Sequence, residues 1–313
     1  MRKDYSKAVK RSGHSNGEPS KAPFAYYGAK QRLASRIVAM LPPHNAWVEG
    51  FCGSAALTLA KPAAPIEIIN DLNNEIVNLF EQLRDRPKKL CEAVALTPYA
   101  NVEFDKCRVS KGNASKIERA RRFLVQTMMT VNGTVECSRT GFSFSQSYAR
   151  ENREARVNRW YNLPERLETI VERLRNVRVE NKDARSLLKS FADRPATLVY
   201  LDPPYFTKRE HGYVIDANDK EFHEELLDIC VKAKCMILLS GYANGLYKRR
   251  LTTELGWKTR TIKTVTRDTA GKEYDRTEVL WVNGQFVKAR ENGRVPVRLS
   301  QKEKRNDKIN PRR

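Results

Sequence analysis

The stretch that most constrains the fold is LVYLDPPYF, residues 198–206. Its apolar beginning is typical of a strand that is buried on both faces. Pro203 and Pro204 have a fixed φ and no N–H, so neither can extend a hydrogen-bonded ladder, and the strand must end at Asp202. In an open α/β sheet, ligands bind at the carboxyl ends of strands. An ordinary exit from a strand explains a lone Asp-Pro-Pro equally well, so the rest of the chain has to decide.

Size and charge narrow the class of protein. With 313 residues, the chain is long enough for a sizeable core, in one large or two modest packed units. Lys and Arg number 58 against 37 Asp and Glu, which gives a formal net charge of +21. Such a surplus favours a polyanionic partner, with nucleic acid first, although a basic protein can also be merely soluble.

The apolar runs and the cysteines exclude several other classes. Runs such as CMILLS are far too short to span a bilayer, and the N-terminal residues lack the apolar segment of a signal peptide, so we expect a cytoplasmic protein. The six cysteines include no Cys-x-x-Cys pair, and His211 and His223 have no partner at metal-ligand spacing. We therefore predict neither a disulfide framework nor a metal site.

The order of predicted elements divides the chain. Strand and helix patterns alternate in 22–88 and 175–287, whereas 89–174 carries mainly helical patterns around a run of Gly, Ser, Arg and aromatic residues. This order predicts an α/β sheet domain that is interrupted by a helical insertion. Residues 1–21 and 288–313 are polar and basic, the latter with ten Lys/Arg and three acids, and are predicted to be flexible ends.

A second strand end carries an acid and two glycines. The turn EGFCGS, residues 49–54, lets the backbone approach a ligand closely at the start of a helix. Asp71 ends the following strand, where a carboxylate can bind both hydroxyls of a ribose. Because the pattern is Gly-x-x-Gly rather than Gly-x-Gly-x-x-Gly, it favours a nucleoside cofactor without a pyrophosphate.

Four segments in this order resemble a known family: PFAYYGAK (23–30), VEGFCGSAA (48–56), IINDLNNEIVNLF (68–80) and VYLDPPY (199–205). They are similar to the D12-class, Dam-like S-adenosylmethionine-dependent DNA adenine-N6 methyltransferases. The resemblance extends over about residues 22–285, with weaker similarity in MMTVNGTVECSRTGFSFSQS. Ala29 and Ser54 stand where family members usually have glycine, and both are small enough for cofactor binding to survive.

The resemblance implies a Rossmann-like class I methyltransferase sheet domain with a mainly helical DNA-recognition insertion at 89–174. It also implies that S-adenosylmethionine is the methyl donor and double-stranded DNA the substrate. The catalytic residues would be Asp202, Pro203, Pro204 and Tyr205. The Asp202 carboxylate and the Pro203 carbonyl would accept the two hydrogens of adenine N6, and Tyr205 would stack on a flipped-out base.

The resemblance likewise implies a set of cofactor-binding residues. Asp71 would bind the ribose and could cap a helix as well, while Asp183 would reach the adenine edge or only cap its helix. Lys30 would bind the carboxylate of the methionine moiety, or be a surface lysine. The remaining members of the set are Tyr26, Tyr27, Gly28, Glu49, Phe51, Cys52, Gly53 and Ser54. For Phe51, a place in the core is an equal alternative.

Candidate DNA contacts lie in the insertion: Arg139, Ser143, Ser145, Arg150, Arg153 and Arg156. A solvated helix face explains the last three arginines almost as well. The large charge surplus favours short or relaxed target recognition.

Two further hypotheses remain at this point. The same fold could methylate cytosine N4 or RNA, although Asp202 disfavours the cytosine enzyme, which commonly has Ser at this position. A catalytically silent DNA-binding protein is the alternative from another class, and the intact Asp71, Asp202 and Tyr205 argue against it.

Overall fold

The computed structural model describes residues 20–24, 26, 30–109, 113–130, 141–145, 149–204, 220–241, 243–267 and 273–296. The strands are β1 (Ala46–Glu49), β2 (Ile66–Asn70), β3 (Ala149–Arg150), β4 (Arg153–Glu154), β5 (Val177–Glu180), β6 (Thr197–Leu201), β7 (Met236–Gly241), β8 (Lys258–Arg267) and β9 (Glu273–Val282).

The helices, numbered in chain order, connect these strands. They are α1 (Ala34–Val38), α2 (Ala56–Ala60), α3 (Asn74–Asp85), α4 (Pro87–Ala95), α5 (Asn101–Val109), α6 (Lys116–Met128), α7 (Ala155–Tyr161), α8 (Leu163–Leu174), α9 (Ala184–Phe191), α10 (Lys220–Lys232), α11 (Gly245–Arg250) and α12 (Gly284–Asn292).

One sheet organises the described residues. Its strand order is β5-β2-β1-β6-β7-β9-β8, with the first five strands parallel and β9 antiparallel to both of its neighbours. The chain leaves β1 for β2 on one side and returns through β6 on the other, so the strand order reverses between β1 and β6. In a doubly wound sheet this reversal opens a crevice at the carboxyl ends of the strands.

The strand residues explain why this sheet is buried on both faces. All five residues of β6 are buried. Along it, Leu198 and Tyr200 pack with one apolar cluster, and Val199 and Leu201 with another on the opposite face. This alternation is the period-two pattern of a strand, and helices cover both faces.

Helices α4 to α8 follow β2 and α3 and precede β5, so they form the insertion in sequence. Buried residues on these helices, such as Leu90, Phe123 and Leu167, share one apolar cluster with Phe80 of α3 and Val177 of β5. The helical region predicted at 89–174 therefore packs directly on the sheet part through a continuous core.

One prediction from the sequence is wrong, and one strand of the sheet was not predicted. The region 288–313 was expected to be flexible from its first residue, but α12 continues to Asn292. Asn283 caps this helix by accepting a hydrogen bond from the Phe286 amide at 3.1 Å, and Phe286 and Ala289 are buried on one face. Strand β8, which was not predicted, lies at the edge of the sheet, where a strand with alternating Thr and basic residues can stay half solvated.

The described residues include neither a membrane-spanning helix nor a cluster of metal-binding side chains. No helix there has both the length and the apolar character needed to cross a bilayer. No group of three or more His, Cys, Asp or Glu side chains there is arranged to hold a metal ion.

Candidate active site

A pocket lies where β1, β2 and β6 end. Among the residues predicted from sequence, those that line it are Tyr26, Lys30, Glu49, Phe51, Cys52, Gly53, Ser54, Asp71, Asp183, Asp202 and Pro204. Residues separated by most of the chain thus meet at one edge of the sheet. Pro203 is buried beside the pocket. Tyr27, Gly28 and Tyr205 lie outside the described residues.

The turn after β1 forms one wall of the pocket and requires a glycine. Gly53 has a φ of +48°, a conformation that L side chains rarely adopt, and a Cβ there would come within 3.1 Å of the Tyr26 ring. The following Ser54 is buried, and its hydroxyl has no hydrogen-bond partner among the described residues. The turn therefore presents backbone and one orphaned hydroxyl to the pocket, which suits a polar ligand held close to the chain.

Asn70, the last residue of β2, joins three segments around the pocket. Its side-chain amide donates to the carbonyls of Gly50 and Lys182, both at 2.9 Å, and its oxygen accepts from the Lys182 amide at 2.9 Å. Asn70 was not predicted from the sequence as a site residue. The pattern that could have identified it is an amide at the end of a buried strand, directly before Asp71. A fully hydrogen-bonded amide at this position can fix the loops that hold the neighbouring acid.

Asp71 is held by two backbone amides. Its two carboxylate oxygens accept from Gly53 N at 2.8 Å and from Asn73 N at 2.9 Å. Burial raises the pKa of this carboxyl, although these amides oppose the shift. Each oxygen of a carboxylate has a second lone pair, so Asp71 can accept hydrogen bonds from two further hydroxyls. The cap of α3 is Asn73, which accepts from the Glu75 amide at 2.9 Å, so Asp71 does not cap that helix itself.

Glu49 is a buried acid at the end of β1. One of its oxygens accepts from Thr58 N at 3.0 Å and from the Thr58 hydroxyl. Burial raises the pKa of Glu49 to about 7, against the opposing effect of the Thr58 hydrogen bonds and with a further contribution from the Asp202 charge. A proton on Glu49 is therefore exchanged near neutral pH, where a cationic ligand would favour the ionised form.

We expect Glu49 to make the protein less stable as the pH rises from about 4.5 to about 7. The folded state, with the raised pKa, binds the proton more tightly than the unfolded chain, so in this window folding loses stability as protons leave. The full effect is about 3 kcal/mol. Urea unfolding at pH 5 and pH 8 measures how far the free energy of unfolding falls between the two pH values. This fall should be smaller in Glu49→Gln than in wild type, by up to the full effect. In the control Glu92→Gln, at an exposed position of α4, it should equal the fall in wild type. Parallel pH profiles for wild type and Glu49→Gln would contradict the expectation.

Asp202, directly after β6, is paired with Lys30. The Lys30 ammonium contacts both carboxylate oxygens, at 2.8 and 2.7 Å, and lies 3.7 Å from Glu278 on β9. Lys30 is buried and Asp202 is half-buried, so the ion pair is largely shielded from solvent. The burial of Lys30 contradicts the alternative of a surface lysine. Its binding to the carboxylate of the cofactor stays a prediction, and its partners in the structure include the predicted catalytic acid and Glu278.

The helix cap predicted for Asp183 is confirmed, and its contact with an adenine edge stays a prediction. Its side chain caps α9 by accepting from the Arg185 amide at 2.7 Å, and it also lines the pocket. The Arg185 guanidinium, 2.6 Å away, holds the pKa of Asp183 below its usual range. Phe222 of α10, which the sequence analysis missed as a site residue, completes an apolar wall together with Phe51, their ring centroids being 6.3 Å apart.

Cys52 does not offer a nucleophile. Its thiol is buried, and burial raises its pKa well above the ordinary value, with the nearby Asp71 and Glu49 adding to the shift. A protonated thiol is a weak nucleophile, so Cys52 contributes to the wall of the pocket rather than to covalent chemistry.

The candidate DNA contacts lie in different environments. Ser143 is buried, its amide donating to the Met129 carbonyl at 2.8 Å and its carbonyl accepting from the Tyr99 hydroxyl. Arg153 lies over the Tyr161 ring, and Ser145 donates its amide to Glu154. Arg139 and the side chain of Arg150 lie outside the described residues, while Arg156 is half-buried on α7.

Sheet order and site together define a doubly wound, Rossmann-like α/β fold, with acids at the carboxyl ends of three adjacent parallel strands. Residues 26–265 match the model of the family described as D12 class N6 adenine-specific DNA methyltransferase. The chain belongs to this family.

One curated relative is the Type II methyltransferase M1.LlaDCHI of Lactococcus lactis subsp. cremoris. It is 28% identical over an alignment of 193 positions, and the match covers 58% of this chain and 65% of the relative. The alignment thus spans slightly less than two thirds of that protein.

Similar solved structures include a precorrin 8W decarboxylase of Methanobacterium thermoautotrophicum, with 12% identity, a TM-score of 0.35 and coverage of 87% of this chain and 100% of that one. Another is a SAM-dependent methyltransferase of Agrobacterium tumefaciens, with 11% identity, a TM-score of 0.35 and coverage of 81% and 61%. Likeness at this level carries no argument about the reaction.

Proposed function

We propose that this protein transfers a methyl group from S-adenosylmethionine to N6 of adenine in double-stranded DNA. The observation that carries the proposal is Asp202, which sits at a proline-terminated strand end and shares its pocket with Glu49 and Asp71. Membership of the D12 family supports the adenine and DNA parts of this reaction.

The residues of the pocket fit the cofactor. Asp71 has lone pairs available for two ribose hydroxyls, Asp183 and Phe222 offer a polar edge and an apolar face for an adenine ring, and the orphaned hydroxyl of Ser54 needs a partner. Glu49, whose pKa is raised to about 7 by burial, is suited to a nearby cation. When bound, S-adenosylmethionine supplies an electrophilic methyl group on a sulfonium.

Asp202 and Pro203 would act on the adenine amino group. Its lone pair is delocalised into the ring, so it is a poor nucleophile until acceptors on its hydrogens draw the pair back toward nitrogen. We assign one hydrogen to the Asp202 carboxylate and the other to the Pro203 carbonyl. The N–C bond would form as the sulfur–methyl bond breaks and its electron pair returns to sulfur, and the surplus proton on N6 would move toward Asp202 and from there to solvent.

Lys30 would keep Asp202 ionised and oriented. An ammonium that donates to both carboxylate oxygens favours the charged form of the acid. A carboxylate has about four lone-pair sites, and the two bonds from Lys30 use two of them. Tyr205, outside the described residues, is proposed to stack on the flipped base, and the helices of 89–174 are proposed to form the target-recognition region.

The function is tested by supplying methyl-labelled S-adenosylmethionine and a random-sequence DNA duplex, then digesting the DNA to nucleosides. We expect all incorporated label in N6-methyl-2′-deoxyadenosine and none in a duplex that lacks adenine. Label in N4-methylcytosine, or incorporation into RNA but not into DNA, would overturn the proposal. In the same pool, methylated adenines scattered over several short contexts would support relaxed recognition, whereas one fixed motif would contradict it.

A further inference from the structure

Three arginines on the insertion lie together without a carboxylate. Arg156 and Arg159 are one turn apart on α7, and Arg166 is in the first turn of α8, which begins two residues after α7 ends. All three are half-buried. We call Arg156, Arg159 and Arg166 the arginine cluster.

The charges of the arginine cluster are not neutralised among the described residues. No ion pair there joins any of the three to an acid, and Glu154, which precedes α7, instead accepts from the Ser145 amide. Arg166 donates one bond to the Pro23 carbonyl at 2.8 Å, while its Nε is buried and has no partner among the described residues. By contrast, Arg121, which is also half-buried, and Arg173, which is buried, each bind a glutamate.

Burial and mutual repulsion make this arrangement costly. Burial, followed by the charge of Arg156, lowers the pKa of Arg159. Burial, followed by the charge of Arg159, lowers the pKa of Arg166 to about 10. Like charges held together away from water destabilise the free protein unless an anion completes the group.

The arginine cluster is connected to the wall of the pocket. Pro23, which accepts from Arg166, is followed by Phe24, and the Phe24 ring packs edge-on against Tyr26 with centroids 5.9 Å apart. Tyr26 lines the pocket. A base that is flipped into the pocket brings its own flanking phosphates to the rim, so an anion is expected on this side of the site.

We propose that the arginine cluster binds a backbone phosphate of the DNA strand that carries the target adenine. The inference rests on the proposed function for the identity of the DNA strand. The guanidinium groups of Arg159 and Arg166 supply planar, multiple donors, which suit phosphate oxygens better than a lysine would. Of these residues only Arg156 was among the contacts predicted from sequence.

The experiment measures binding of a fluorescent adenine-containing duplex at a series of salt concentrations, in the presence of S-adenosylhomocysteine. In Arg159→Gln and Arg166→Gln, we expect about tenfold weaker binding at low salt and a salt dependence of log K that is smaller by about 0.9, the value for one lost phosphate contact. Arg175→Gln is the control, because Arg175 is exposed just after α8 and already paired with Glu172. It should leave both quantities unchanged.

A second measurement locates the phosphate and guards against misfolding. Uncharged methylphosphonates are placed one at a time around the target adenine. At one position, the methylphosphonate should weaken DNA binding by wild type and by Arg175→Gln. At the same position it should not weaken DNA binding by Arg159→Gln any further. Arg166→Lys, which keeps the charge, should retain most of the salt dependence, and melting curves check that every variant is folded.

The outcomes separate the two proposals. An unchanged salt dependence in both glutamine variants, or the absence of any such methylphosphonate position, would overturn the arginine cluster as a phosphate site. Equal dependence on the arginines for duplex RNA and DNA would remove the assignment to a DNA strand. If wild type binds DNA as expected but leaves no methyl group on adenine, the proposed function fails and the phosphate site stands.

Discussion

Asp202→Asn is expected to lower kcat for methyl transfer to DNA by about 10²- to 10⁴-fold, the range lost when a positioned acid–base group is removed. Asparagine keeps the shape of the side chain, but it cannot take up the proton that leaves N6, and one of its two polar ends is a donor. Single-turnover transfer of labelled methyl groups to duplex DNA measures the loss.

The fold should survive this change. Lys30, the partner of Asp202, retains Glu278 at 3.7 Å as a second carboxylate, so the buried ammonium is not left without a counter-charge. Cofactor affinity, measured by calorimetry, should change only slightly. Asp85→Asn, on the exposed end of α3, is the matched control and should be fully active. If Asp202→Asn keeps more than a tenth of the wild-type rate, the assigned chemistry is wrong.

Glu67→Gln is expected to reduce the free energy of unfolding by about 3–5 kcal/mol, the cost of breaking a buried ion pair from one side. Glu67 on β2 binds Lys61 at 2.6 Å and the two terminal nitrogens of Arg173 on α8, and all three side chains are buried. Without the carboxylate, two cations remain side by side in the interior. Urea unfolding followed by circular dichroism measures the difference.

The same ion group predicts a loss of stability in acid. Burial opposes ionisation of Glu67, but Arg173 and Lys61 prevail and hold its pKa below the usual value. The stabilisation is therefore present above the pKa of the unfolded chain and is lost as the pH falls through the lower pKa of the folded state. Glu172→Gln, which removes an exposed partner of Arg175, should change stability by less than 1 kcal/mol. A loss equally small in Glu67→Gln would contradict the prediction.

Strand ends were the part of this fold that sequence could predict. The prolines after Asp202, the glycine turn after Glu49 and the acid after β2 are local signals, because each reports a backbone that must leave the sheet at that point. Their meeting in one pocket follows from parallel pairing, since the carboxyl ends of parallel strands share an edge. The site could thus be outlined without knowledge of distances.

The partners of charged side chains could not be predicted in the same way. Lys30 and Asp202 are 172 positions apart, and Arg173 and Glu67 are 106 apart, so no local pattern couples them. Strand β8 was missed because its residues alternate between Thr and basic side chains without a clear apolar face. Helix α12 did have local signals in the sequence, namely an Asn at its N-cap, Asn283, and a Gly directly after its end, Gly293. The region was nevertheless predicted to be flexible because of its basic charge.

The charge balance of the pocket bears on how the spent cofactor leaves. The carboxyl groups and lysines that line it, among the described residues, are four acids and two bases: Glu49, Asp71, Asp183, Asp202, Lys30 and Lys182. An excess of acid attracts a sulfonium, and in a partly buried site this attraction is stronger than in water. In the proposed reaction the sulfur becomes neutral when the methyl group is transferred. We therefore expect the pocket to bind the fresh cofactor more tightly than the used one, so that methyl transfer itself favours release of the spent cofactor.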